Sequence, residues 1–144
     1  MSVIAWSGSS VSTEISKIDN HLEWSMLCEG TKTQVRTMKP LVHRVGMKND
    51  KLVMLNHGTS FVPFVIQNAE RKLLADLTIG DIEAEGFSDL TSFKEFWIMK
   101  NDTKHFSPHE RVYVTTLFRF HPDDDRCVDA MRRLALQVYP LSVR

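Results

Sequence analysis

The segment Arg111 to Phe120, RVYVTTLFRF, constrains the fold most. It runs ten residues without glycine or proline, and Val112, Val114, Thr116, Phe118 and Phe120 fall on one side of an extended chain. A strand of this length is expected to run through the middle of a sheet. Candidate partners lie upstream. Lys32 to Arg36 (KTQVR) alternates side-chain types until Pro40 ends regular pairing, and Ser2 to Trp6 could form an edge strand before the loop Ser7 to Ser10. Lys51 to Leu55 (KLVML) and Phe61 to Gln67 (FVPFVIQ) read as two strands flanking the turn-rich segment Asn56 to Ser60, with Pro63 putting an edge or a bulge into the second. Arg71 to Asp76 adds a further strand.

Helical periodicity separates these strands. From Glu14 to Glu29 the apolar residues Ile15, Ile18, Leu22, Met26 and Leu27 recur at three to four positions, and Gly30 suits the helix end. Thr78-Ile79-Gly80-Asp81 has the pattern of a capping box, so a short helix should begin there and stop near Gly86. Ser88 or Asp89 can cap another, with Leu90, Phe93, Phe96 and Trp97 on one face as core. After His121-Pro122, the acids Asp123 to Asp125 suit a helix start. Cys127, Val128, Met131, Leu134, Ala135 and Val138 then continue at helical spacing to Pro140, which predicts a C-terminal helix over about 123–139. Short strands with helices between them predict an α+β fold built on a small curved mixed sheet or barrel. The 144 residues, 42% hydrophobic and 25% charged with 6 Gly and 5 Pro, fit one globular domain over 1–144.

Two segments carry a more specific signal. Residues 30–36 read GTKTQVR, and from Asp76 the chain reads DLTIGDIEAEGFSDLTSFKEFW. Together, in this element order, they resemble the activating signal cointegrator homology (ASCH) family, a branch of the PUA-like fold; the resemblance spans roughly Leu22 to Phe120. It implies a PUA-like β-barrel with inserted helices, and a cleft that faces RNA, a modified nucleobase or a nucleoside. By position it implies that Lys32, Arg36 and Glu85 line that cleft. In the branch similar to acetylcytidine amidohydrolases, the lysine, a threonine three positions later and the glutamate form the active site, so Lys32 and Glu85 are the candidate catalytic pair. This chain has Val35 where that threonine stands, and valine supplies no nucleophilic oxygen. Nucleic-acid or nucleobase binding is therefore the leading expectation. A small hydrolase (acylated-cytidine amidohydrolase or ribonuclease) is the alternative, and a protein-interaction module using the C-terminal helix is a third reading.

The chemistry also stands apart from the family. A lysine ammonium beside a carboxylate keeps both groups charged and can position a polar ligand or stabilise a developing oxyanion. The formal net charge is zero, with 18 basic and 18 acidic residues, so attraction to phosphates must be local. Residues 30–51 hold six basic residues (Lys32, Arg36, Lys39, Arg44, Lys48, Lys51) against Asp50 alone, and such a segment can lie along phosphates of RNA or DNA. Lys39 and Arg44 are its candidate binding residues. Trp24 and Phe61 are the better candidates for base stacking among the aromatics, and His57 could stand at the cleft mouth.

Metal and cofactor signals are weak. Pro108 between His105 and His109 works against a helical ligand pair, and Cys28 and Cys127 stand about a hundred positions apart as small buried apolar residues. The expectation is no metal and no cofactor. No apolar run approaches the roughly 20 residues of a membrane span and the first sixteen residues lack a basic leader, so a cytoplasmic protein with no membrane partner is expected.

Overall fold

The structure, a computed structural model, describes residues 15–42, 51–125, 127, 128 and 132. Five strands form one mixed sheet: β1 (Ile15–Lys17), β2 (Gln34–Thr37), β3 (Lys51–His57), β4 (Ser60–Leu73) and β5 (Arg111–Arg119), in the order β1-β3-β4-β5-β2. β1 lies parallel to β3, and every other pairing is antiparallel. Among the described residues, the helices with complete bounds are α1 (His21–Glu29), α2 (Ile79–Ala84) and α3 (Leu90–Lys100). The expected α+β class is what the chain adopts, with the barrel realised as a curled half-barrel. Its edge strands are β1 and β2. The Ser16 hydroxyl on β1 donates to the Leu41 carbonyl just past β2, so the curl brings the two edges within one hydrogen bond.

Several sequence expectations shift for identifiable reasons. The helix expected from Glu14 begins only at His21, because Ile15 to Lys17 pair with Met54 to Asn56 on β3 and Asn20 caps the helix by accepting from the Glu23 N–H. Gly30 ends it in the left-handed conformation, φ 87°. The two strands expected between 61 and 76 are one strand, β4, whose whole length pairs with β5 from Phe64 onward. Its irregularity falls at Gln67, where the register shifts between Ile66 and Asn68, and not at Pro63. Pro63 fits without a bulge. Counting from the closing His57–Ser60 pair, Met54–Pro63 is a non-hydrogen-bonded pair, and the β5 register starts one residue later, at Phe64.

β5 is buried on both faces. Val112 and Val114 pack with Phe93, Phe96 and Trp97 of α3, while Leu117 joins Val35, Leu27, Leu55 and Ile66 in the main core. The capping box at Thr78 and Asp81 is present, and Asp89 caps α3 by accepting from the Ser92 N–H. Leu90, expected in the core, is 40% exposed; Phe93, Phe96 and Trp97 are buried. Past β5, Asp125, Cys127, Val128 and Arg132 are helical, with Cys127 fully buried against Val65 and Phe118. The rest of the expected C-terminal helix, the strand expected at 2–6, the loop at 7–10 and Arg44 lie outside the described residues.

Candidate functional site: a buried ionic network behind a cavity

The GTKT segment is pinned from three directions. Gly30, Thr31 and Lys32 donate their backbone N–H groups to the Met26 carbonyl at the end of α1. The Thr33 N–H donates to the Ala84 carbonyl (2.8 Å), and the Thr33 carbonyl accepts from Leu117 on β5 (3.0 Å). Lys32 is thereby aimed at the end of α2. Along β2 the side chains then alternate: Gln34 and Arg36 face α2, and Val35 enters the apolar core. The position that the amidohydrolase pattern gives to a hydroxyl thus lies in a hydrophobic cluster.

Helix α2 supplies the matching acids, because Asp81 in its first turn and Glu85 at its C-cap are one turn apart on one face. The Lys32 ammonium lies 2.7 Å from Glu85 Oε1, donates to the Glu85 carbonyl at 2.9 Å and stands 3.3 Å from Glu23 Oε2. All three of its protons have an oxygen to meet. Arg36 Nη1 bonds Glu85 Oε2 at 2.7 Å and the Gln34 side-chain oxygen; Nη2 bonds the Asp76 carbonyl at 3.4 Å and stands 3.7 Å from Asp81 Oδ2. Its Nε is buried without a hydrogen-bond partner. The chain of charges continues through Glu23 to Lys100 at the end of α3. That ammonium lies 2.9 Å from the Glu23 carboxylate and donates to the Arg36 carbonyl at 2.9 Å.

Three cations and three carboxylates therefore balance in one network, in which Lys32, Arg36, Glu23 and Glu85 are each no more than 2% exposed. Burying any of these charges alone would cost several kcal/mol; mutual pairing with well-placed hydrogen bonds offsets it. The rings of Phe96 (5.1 Å) and Phe87 (5.8 Å) also face the Lys32 ammonium. Burial pushes the Lys100 pKa below the usual lysine range and Lys32 adds to this, while Glu23 pulls the other way. Burial would lift Asp81, but the Thr78 N–H, the Gln34 amide and Arg36 outweigh it and hold that carboxyl below its ordinary range.

The EGF segment now has a physical meaning. Glu85 gives Lys32 both a carboxylate and a carbonyl, Phe87 gives it a ring, and Gly86 between them adopts φ 95°. A Cβ on Gly86 would sit 2.7 Å from Met26 Sδ and 3.7 Å from Lys32 Cβ. Gly86→Ala is expected to destabilise the chain by about 1–3 kcal/mol in urea unfolding, chiefly through the left-handed backbone. Met26→Ala in the same chain should relieve the contact without restoring the loss.

Lys32, Arg36 and Glu85 meet as a cluster, but they do not line an open cleft: their side chains are 0–1% accessible. The opening lies beside them. A cavity of about 550 Å³ occupies the gap between the two sheet edges. It is walled by Lys17 to Asn20 and Glu23 on one side, Thr37 to Leu41 on another and Met99 to Asn101 on the third. Glu23 and Lys100 thus join the buried network to the cavity wall. Neither was among the residues singled out from sequence. Lys100 had a signal, since it continues the Phe93, Phe96, Trp97 stripe by one helical turn. Glu23 had none, because the apolar spacing of α1 put Leu22 inward, whereas Glu23 is buried and Leu22 is 46% exposed.

The remaining candidates sit elsewhere. Trp24 is buried in the main core, stacked on His57 and tilted against Phe64. His57 Nδ1 bonds the Ile18 carbonyl at 2.8 Å. Phe61 is half exposed on β4, paired opposite Asn56 near the β3–β4 turn. Lys39 is exposed on the cavity wall. Two of the six basic residues in 30–51, Lys32 and Arg36, are enclosed in ion pairs, so the segment does not present all its charge to solvent.

No protein-family model and no curated protein matches this chain. Among solved structures, the ASCH domain from Lactobacillus crispatus JV V101 superposes with TM-score 0.53 at 13% identity, over 74% of this chain and 80% of that one. The fold is that of an ASCH domain. A protein of family DUF984 from Enterococcus faecalis V583 is also similar, with TM-score 0.46 and 16% identity over 69% of this chain and 67% of that one. In this chain the bond from the Thr33 N–H to the Ala84 carbonyl holds the GTKT segment at the end of α2, which is why an ammonium and a carboxylate 53 positions apart meet. Among the described residues, no helix is long and apolar enough to cross a membrane, and no group of three His, Cys, Asp or Glu side chains could hold a metal ion.

Proposed function

We propose that this chain is a nucleic-acid- or nucleobase-binding domain, directed to RNA, whose ligand enters the cavity between the sheet edges. The observation that carries the reading is the ionic network that ends at Glu23 and Lys100 on the cavity wall. A fold with no use for charge at this place could fill it with apolar side chains at equal or better stability. Here the charges lead to a concavity of the size that takes small ligands, lined by polar and apolar side chains together. Lys32, Glu85 and Arg36 act as positioning residues: they fix Glu23 and, through the Arg36 carbonyl, Lys100. Lys39 adds positive charge at the wall, and Phe61 offers a ring to a longer strand.

Binding suits the geometry better than hydrolysis. Lys32 is saturated by three oxygens, and Val35 points into the core, so neither offers a nucleophile to a substrate. The test is calorimetric titration of the native chain with short RNA, short DNA and the four nucleosides at two salt concentrations. Saturable binding, strongest for RNA and weakened by salt, is expected. Absence of saturable binding to all of them overturns the proposal. Turnover of an acylated cytidine or of RNA, abolished by Glu85→Gln in a chain shown to remain folded, would replace it with the hydrolase.

A further inference from the structure

The contents of the cavity fall into three zones. Its lining includes the ion pair of Glu23, 2% exposed, and Lys100, whose ammonium already meets both Glu23 oxygens and the Arg36 carbonyl, so a polar edge arriving there meets a charged pair whose hydrogen bonds it can share. Its rim carries two large apolar side chains that the fold leaves in solvent, Met38 (42% exposed) from the segment after β2 and Met99 (61%) from α3. Methionine thioethers are adaptable and favour contact with flat rings. The same lining carries two exposed lysines, Lys17 on the β1 edge and Lys39 just past β2; Lys17 lies 3.3 Å from Asp19, an open pair that solvent already weakens. The walls hold three lysines (17, 39, 100) against two acids (Asp19, Glu23), an excess of one positive charge.

We infer that the ligand unit is a nucleotide rather than a bare nucleoside: the base packs against Met38 and Met99 with its polar edge on Glu23 and Lys100, and its phosphate meets Lys17 and Lys39. This rests on the binding function proposed above. Each zone answers a different part of such a ligand. A simple anion would have no use for the methionines, and an apolar molecule would leave the exposed lysines Lys17 and Lys39 unused and add no hydrogen bond to the Glu23–Lys100 pair. A phosphodiester carries the single negative charge that the walls match, so a free nucleotide and a unit within an RNA chain share this chemistry.

The experiment compares the native chain with two double variants, Lys17→Ala/Lys39→Ala and Met38→Ala/Met99→Ala. All four residues are exposed, Met38 at 42%, and unchanged thermal melting confirms that both variants fold. Each protein is titrated with the four nucleosides, their 5′-monophosphates and a short RNA, at low and high salt. The native chain is expected to bind at least one monophosphate about five- to tenfold more tightly than its nucleoside at low salt, with the gap closing at high salt. The lysine variant should lose that gap and keep nucleoside affinity. The methionine variant should weaken nucleoside and nucleotide alike, by about three- to tenfold. Equal affinity of nucleoside and monophosphate for the native chain, or native-like binding by both variants, overturns the inference and leaves the binding function standing. Binding of RNA without any monomer does the same. Failure of the native chain to bind any of these ligands removes both.

Discussion

Glu85→Gln is expected to cost about 3–5 kcal/mol of folding stability in urea unfolding, the range found when one partner of a buried pair is removed. The magnitude follows from what the substitution strands. Among the described residues, Glu85 is the only carboxylate within 3 Å of both Lys32 and Arg36, and both cations are inaccessible to water. The neutral amide cannot balance either charge, and the side chain has no route to solvent. Lys32→Met makes the useful contrast. It leaves Glu85 paired with Arg36 and Glu23 paired with Lys100, so no charge is abandoned, and the loss should be about 1–2 kcal/mol. Equal losses in the two variants would mean that the network is not organised around Glu85.

Glu23→Gln should destabilise by about 2–3 kcal/mol at neutral pH, less than Glu85→Gln because Lys32 retains Glu85 and Lys100 borders the cavity. Its distinguishing mark is pH dependence. Burial already depresses Lys100 in the fold, whereas in the unfolded chain it titrates near 10.4. Between those two values the unfolded chain binds more protons, so stability rises with pH through that window. Removing Glu23 takes away the group that opposes the depression and extends the window downward. The deficit of the variant should therefore be full near neutral pH and shrink as the pH approaches about 10. A deficit that stays constant from pH 7 to 10 would show that Lys100 does not sense Glu23. Nucleotide affinity should fall as well, because the cavity lining loses its carboxylate charge and one of its two acceptor oxygens.

Much of this fold was legible because short-range rules and long-range packing agree in it. The capping box at Thr78, the cap at Asp89 and the stop at Gly30 are satisfied within a few residues, and no distant contact competes with them. Legibility failed where tertiary pairing decides. Ile15 to Lys17 carry helical spacing, yet a parallel neighbour at Met54 to Asn56 takes them into the sheet. The two strands expected between 61 and 76 are continuous because β5 runs alongside from Phe64 to Leu73 and carries the chain across the shift at Gln67.

The site divides in the same way. The meeting of Lys32, Arg36 and Glu85 was expected from the resemblance carried by the GTKT and EGF segments; in the structure the turn at Gly30 and the positive φ at Gly86 both serve Lys32. Their enclosure was not identifiable, because alternation along β2 says which side chains share a face but not that α2, α3 and α1 close over that face. Glu23 and Lys100 escaped notice for a related reason. Charged residues on amphipathic helices are ordinarily assigned to solvent, and only the meeting of two helix ends turned these inward.

The pairing of β2 with β5 has a consequence for how the chain comes together. Gln34 lies opposite Thr116, so this edge of the sheet closes only after most of the polypeptide has been traversed. Hairpins such as β3–β4 can zip locally, but a contact of such high sequence separation forms against a large loop-closure entropy. Lys32 and Arg36 are therefore expected to stay hydrated through the early stages of folding and to lose their water when β2 and β5 pair. A late step of this kind should make refolding rates sensitive to ionic strength, while local hairpin formation stays indifferent to it.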